Sequence, residues 1–379
     1  MARVHATSIR HPQPEGPVKD CLRGDVAALR ARLDAGLDVH ALYEWQVPAA
    51  IVGPWRVPLL EAATSAGHAE ITELLLARGA DPDQYSAQDC HPLYGVAQFG
   101  DVRMAALLLD GGATVDRVTG PRHNMGNAET SLYVAAASGQ TAMVELLLAR
   151  GARVDVANRV GGSPLYMAAQ CGRVEILKIL AAAGADVDQG RTDDSSVGGS
   201  SPLLMACTSG HAAVVKALAE LGADLDSRNN NGMTPLMAAA FFGKSDCAVA
   251  LLEAGCDAAV EHDFPGPAVM FNVEKVPRKG RAGAAKLARD RGFVALGALV
   301  ARDGARRALV GEAVVVRGTS REDINGTAGT AARYDAAKDR YDVALEGFDT
   351  ALSFRASNVR RPGDDGGDDD GGDGGASSA

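Results

Sequence analysis

Aromatic residues are scarce. Phe, Tyr and Trp together make up 4% of the 379 residues, although 46% of the chain is hydrophobic. So little ring volume argues against one large globular core and suits thin layers built from Ala and Leu. Nor does any run approach the roughly 20 apolar residues that a membrane-crossing helix requires, so no membrane partner is expected. Residues 1–17 hold Arg3, Arg10 and three prolines but no apolar stretch, which argues against a secretory signal. The six cysteines (Cys21, Cys90, Cys171, Cys207, Cys247 and Cys256) lack any metal-binding spacing. They are expected to be buried, reduced thiols, which places the chain in the cytoplasm or the nucleus. Net charge is −10, and six aspartates after Arg361 carry six of those charges, leaving −4 for the rest. That balance has no electrostatic footprint for nucleic acid, and no nucleic-acid partner is expected.

Motifs that carry chemistry are missing as well. Gly280 to Lys286 has the wrong spacing for a phosphate-binding loop and ends without a hydroxyl. Neither H-E-x-x-H nor G-x-S-x-G occurs. Asn325-Gly326-Thr327 fits a glycosylation sequon but reads as a turn in a chain that is not secreted. No catalytic residue, no cofactor and no metal ligand is therefore assigned, and the chain is not expected to be an enzyme.

What the chain does have is a repeated unit, clearest from Ser163 to Asp188. Ser163 can cap a helix whose first position, Pro164, needs no N–H. Leu165, Ala168 and Ala169 give that helix a flat apolar face, and Gly172 stops it. Val174, Ile176, Leu177, Ile179 and Leu180 form the stripe of a second helix that ends at Gly184. Glycines twelve residues apart recur at 24/36, 67/79, 100/112, 139/151, 172/184, 210/222, 243/255 and 292/304. Successive first glycines lie 43, 33, 39, 33, 38, 33 and 49 residues apart, a basic period of 33 with insertions. Five units open clearly, at His91-Pro92-Leu93, Ser131-Leu132, Ser163-Pro164-Leu165, Ser201-Pro202-Leu203 and Thr234-Pro235-Leu236.

That period and opening resemble the ankyrin repeat. The resemblance implies a mainly α fold, an ankyrin-repeat solenoid (an α-horseshoe with β-hairpin fingers) of about eight units. Tyr94, Tyr133, Tyr166, Leu204 and Met237 stand where the family signature has His, as packing residues. His68 and His211, each following a repeat glycine, are likewise expected to pack. The start of the second unit, near Val57 and Pro58, is open by one residue, and the eighth unit is degenerate. The expected layout is a flexible leader at 1–17, the array at 18–307 and a small β-domain at 308–361. A disordered Asp/Gly tail at 362–379 follows. Insertions fall near 39–57, 113–130, 185–200 and 256–283. The strand-like runs after Ala313, with turns such as Asn325-Gly326, resemble a small SH3-like barrel.

By the same resemblance, the chain is expected to be a monomeric, non-catalytic scaffold or adaptor for a protein partner. The alternative is a regulatory or inhibitory subunit of an enzyme complex, such as a substrate-recognition adaptor. Candidate partner-binding residues lie in the groove (Phe99, Gln170, Phe241 and Phe242) and in the fingers (Trp55, Arg122, Arg159, Asn230 and Met233). Adjacent helical residues point about 100° apart, so Phe241 and Phe242 are not both expected in the core. The basic segment Lys275 to Arg291 reads as solvated surface of the last insert and capping helix, as a dock for an acidic segment such as the tail, or as a nuclear-import signal.

Overall fold

The computed structural model describes residues 16–45, 55–193, 198–264, 280–307, 313–316, 328–335, 340–345, 351–355 and 359–360. The expected leader up to residue 15, Lys275 to Lys279, the tail 362–379 and the side chains of Trp45 and Trp55 lie outside them.

Helices follow one another in pairs. They begin with α1 (Pro17–Arg23) and α2 (Val26–Asp34), then α3 (Leu59–Ala66) and α4 (Ala69–Ala77). Next come α5 (Pro92–Phe99) with α6 (Val102–Asp110), and α7 (Ser131–Ser138) with α8 (Thr141–Ala149). The central pairs are α9 (Pro164–Gln170) with α10 (Val174–Ala182) and α11 (Pro202–Ser209) with α12 (Ala212–Glu220). The array closes with α13 (Pro235–Phe241) and α14 (Ser245–Ala254), then α15 (Ala284–Asp290) and α16 (Val294–Arg307).

Local chemistry explains the repeated start. Ser163 Oγ accepts the Tyr166 N–H at 3.1 Å, and Thr130, Ser201 and Thr234 do the same for Tyr133, Leu204 and Met237. Each such cap contributes about 1 kcal/mol to helix stability. Leu165, Ala168 and Ala169 are fully buried on one side of the unit, and Ile176, Leu177 and Leu180 on the other. The faces of neighbouring units merge into one core that runs from Val18 to Val300.

Three unit boundaries compare with the sequence reading as follows: one open point is settled, one start is kept and one end is corrected. The second unit's register, left open by one residue, is settled with Pro58 in the cap position and the first helix starting at Leu59. In the fourth unit the first helix opens at Ser131 as read, capped by Thr130. In the eighth, Gly304 does not end a helix, because α16 continues through it to Arg307.

The first and last insertions form hairpin stems. Strands β1 (Leu42–Trp45) and β2 (Trp55–Pro58) pair antiparallel, as do β3 (Glu261–Phe264) and β4 (Gly280–Gly283). Beyond the array lie β5 (Ala313–Val316), β6 (Ala328–Asp335), β7 (Arg340–Leu345), β8 (Leu352–Arg355) and β9 (Val359–Arg360). They form one antiparallel sheet in the order β8-β7-β6-β5-β9. Alternation along β7 buries Tyr341, Val343 and Leu345 with Ala331, Phe354 and Val359 in a second, separate core.

Candidate interaction surface

The surface open to a partner is whatever the joints between units leave free, and three sets of polar bonds make those joints. The first lies at the turn between the helices of a unit. Gly172 has φ 73°, a left-handed conformation that L side chains avoid. A Cβ there would also lie 2.7 Å from Nδ1 of His211, one unit further on. His211 sits that close because its Nε2 bonds the Gln170 carbonyl at 3.1 Å, satisfying a helix-end acceptor. His68 bonds Leu22 O at 3.1 Å, Gln140 donates to Gln98 O at 3.2 Å, and Arg173 to Ala137 O at 3.4 Å. The expected packing histidines therefore also stitch units together.

The second set lies at the base of the fingers, the connections between units. An aspartate four residues after the second glycine accepts a backbone N–H from the following unit. The links run from Asp83 to Thr114 (3.0 Å), Asp116 to Arg153 (3.1 Å), Asp155 to Asp186 (3.3 Å), Asp188 to Asp224 (3.1 Å) and Asp226 to Asp257 (3.0 Å). Partial burial raises the carboxyl pKa of Asp188 and Asp226. Sequence reading missed this ladder, though the signal was present in the constant offset of the five aspartates from their glycines.

Third, the fingers bond one another through backbone groups. Ala87 N–H donates to Arg56 O, Gly120 to Asp89 O, Arg159 to Asn127 O, Thr192 to Val160 O and Asn230 to Gly198 O, at 2.7–3.1 Å. The signature-His column reaches into the same region. Tyr94 O–H donates to Glu129 Oε2 at 2.7 Å, and Asn158 Nδ2 donates to the Tyr133 hydroxyl at 3.2 Å. Burial pushes both tyrosine pKa values upward. The shifted start of the second unit brings Glu61 into this column, where burial lifts its carboxyl to about 7. Burial lowers His91 to about 4, and its Nε2 meets the Arg117 carbonyl at 3.2 Å.

The candidate residues separate against this frame. Phe99, at the end of α5, is 63% exposed. Gln170 and Phe242 are half-buried, whereas Phe241 is fully buried. Phe241 stacks edge-on with Phe242 at 5.0 Å and lies under the Arg291 guanidinium at 4.7 Å, so it is a core residue and not a contact. Met233 is also a correction. It is 0% exposed, because its N–H and the loop around it turn inward onto Asn229 Oδ1 at 3.0 Å. Arg122, Arg159 and Asn230 are exposed, each with its backbone N–H already bonded to a neighbouring finger. Trp55 is placed in β2 opposite Trp45. Sequence reading passed over Met125, which is 92% exposed at the tip of the third finger.

Among the described residues, no group of three or more His, Cys, Asp or Glu side chains could hold a metal ion. No described helix is long and apolar enough to cross a membrane.

The chain matches the family described as ankyrin repeats (3 copies) over residues 59–158, 93–191 and 188–262. It is 36% identical over 110 residues to the Drosophila melanogaster "Ankyrin repeat and KH domain-containing protein mask", covering 29% of this chain and 3% of that protein. It is 35% identical over 109 residues to the Homo sapiens "Ankyrin repeat and KH domain-containing protein 1", covering 29% of this chain and 4% of that protein. The chain thus spans only a small fraction of these curated relatives. The human ASB11 ankyrin repeat domain superposes with a TM-score of 0.52 at 26% identity, covering 64% of this chain and 99% of that domain. The period, the paired helices and the family match agree, and the chain belongs to the ankyrin-repeat family.

Proposed function

We propose that the chain is a non-catalytic scaffold or adaptor that holds a protein partner along the groove and fingers of its central units, without a cofactor. Ankyrin repeats generally mediate protein–protein interaction. The observation that supports a site here is Phe99, a large apolar side chain 63% exposed at a position the stack does not need for packing. In this reading all eight helix pairs are ankyrin units with atypical ends, and the sheet from Ala313 to Arg360 belongs to an SH3-like barrel. The protein acts as a monomer in the cytoplasm or nucleus. Its interaction energy is concentrated in a few aromatic and Arg anchors.

The test compares two baits, the wild-type chain and Phe99→Ala, in quantitative pull-downs from cell extract. Proteins held by wild type and lost by Phe99→Ala, at an unchanged melting temperature, support the groove as the recognition surface. Indistinguishable captures remove it.

A further inference from the structure

The third finger is built to present a tip. Three of its residues other than glycine adopt left-handed backbone: Asn124 (φ 41°), Met125 (φ 56°) and Ala128 (φ 54°). Conformations of this kind are costly and persist only where the surroundings enforce them. Here the enforcement is explicit. Glu129, 4% exposed, accepts the Asn124 amide on Oε1 at 2.5 Å and the Tyr94 hydroxyl on Oε2 at 2.7 Å. Its own N–H donates to Thr119 Oγ1 at 3.1 Å. On one side Asp89 Oδ2 accepts the Arg122 N–H at 2.8 Å, and on the other Asn127 O accepts the Arg159 N–H at 2.7 Å. His123 packs edge-on against Tyr94, with ring centroids 4.9 Å apart.

All this restraint leaves Met125, beside those anchors, 92% exposed. Two arginines share this tip. Arg159 Nη1 lies within 3.3 Å of where a Cβ on Gly126 would stand, so the guanidinium lies against Met125's neighbour. Arg122 is exposed at the start of the same turn. The nearby carboxylates are already committed, Asp89 to the Arg122 N–H and Glu129 to its buried donors. An exposed apolar side chain thus shares its tip with the exposed Arg122 and Arg159, in a chain whose net charge is −10.

We propose that Met125, Arg122 and Arg159 form a docking knob for an acidic segment of a partner protein, in which apolar side chains clasp the methionine and carboxylates meet the two arginines. This rests on the scaffold reading above and assigns it a partner chemistry. Carboxylates match guanidinium forks in bidentate pairs, and a flexible thioether adapts to the apolar side chains around it. Two cations are too few for a polyanion such as nucleic acid, where several phosphate contacts carry the affinity. One methionine is too little apolar surface to hold a membrane.

The experiment pans a random dodecapeptide phage library on the immobilised full chain, counter-selecting with the triple variant Met125→Asn, Arg122→Glu, Arg159→Glu. Asn tolerates left-handed backbone and a glutamate keeps the bonded N–H, so the variant should melt with wild type. Expected are enriched peptides that combine Asp or Glu with Leu, Ile or Phe. A synthetic copy should bind at least tenfold more weakly to Met125→Asn and to Arg159→Glu, and unchanged to Phe99→Ala. Peptides insensitive to the tip but lost in Phe99→Ala would overturn the knob and leave the scaffold reading intact. No enrichment over the triple variant, or tip-dependent binding of poly(U) RNA or phosphatidylserine vesicles in place of acidic peptides, would also overturn it.

Discussion

Replacing Gly172 and Gly184 separately by Ala measures how strongly one unit is joined to the next. Both glycines are left-handed, with φ 73° and 94°, so both substitutions carry about 1–2 kcal/mol of backbone strain. Each is offset by about 0.4–1 kcal/mol from the restricted unfolded chain. The surroundings differ. Nothing lies within 4 Å of a Cβ at Gly184, while at Gly172 the His211 ring is 2.7 Å away. Gly172→Ala must displace that ring and break its bond to the Gln170 carbonyl, which adds about 1 kcal/mol or more. Gly184→Ala should therefore cost about 1 kcal/mol and Gly172→Ala about 2–3 kcal/mol. In Gly172→Ala/His211→Ala the clash no longer exists, so the pair should fall short of additivity by about 1 kcal/mol. Urea unfolding followed by far-ultraviolet circular dichroism reads wild type, Gly172→Ala, Gly184→Ala, His211→Ala and the double variant. Equal costs for the two glycines, or strict additivity in the double variant, would refute the reasoning.

Three further outcomes follow from buried and joining groups. Burial lifts the Glu61 carboxyl from its ordinary 4.5 to about 7 in the folded chain, so its favourable contribution is complete below 4.5 and is lost as pH rises through about 7. The unfolding free energy of wild type, measured in urea, should fall between pH 5 and pH 8 by about 3 kcal/mol at most, and Glu61→Gln should flatten that slope; an unchanged slope would show that Glu61 is not responsible. Asp226→Ala leaves the Asp257 N–H without its acceptor and should cost about 1–2 kcal/mol, with Asp226→Asn closer to wild type, as thermal melts will show. Phe241→Ala should lose about 3–5 kcal/mol of stability while Phe99→Ala stays within about 0.5 kcal/mol, and a reversal would invert the assignment of core and groove.

The repeat was legible because its punctuation is local. Ser163 and Pro164 at one end of a helix and Gly172 at the other act through backbone geometry that any such stretch must obey. What was not legible depends on partners far along the chain. Nothing around Met233 announces that the loop folds it inward, since Asn229 is as common in exposed turns as in buried ones. Phe241 and Phe242 were separable only in part. Helical geometry excludes burying both fully, but the choice is made by Arg291, fifty residues later. In the second unit, Pro58 resembles the proline at the first helical position elsewhere. It instead takes the cap position, and the one-residue displacement puts Glu61 at the repeat position held by Tyr94, Tyr133 and Tyr166 in other units, beside Ser86 and Cys90.

The aspartate ladder also explains why the insertions lie where they do. Its regular links, Asp83 to Thr114, Asp155 to Asp186 and Asp226 to Asp257, each span 31 residues. The links across the two enlarged fingers, Asp116 to Arg153 and Asp188 to Asp224, span 37 and 36 residues. All five bonds still measure 3.0–3.3 Å. Extra chain is therefore looped out beyond the ladder, where it does not disturb the stacking of helices beneath. These two fingers lengthen without loss of register because the bond at their base does not depend on what lies above it. That freedom is absent inside the helices, where one added residue would rotate every apolar side chain off its face. The tip that carries Arg122 and Met125 occupies the position in the repeat where new surface costs the fold least.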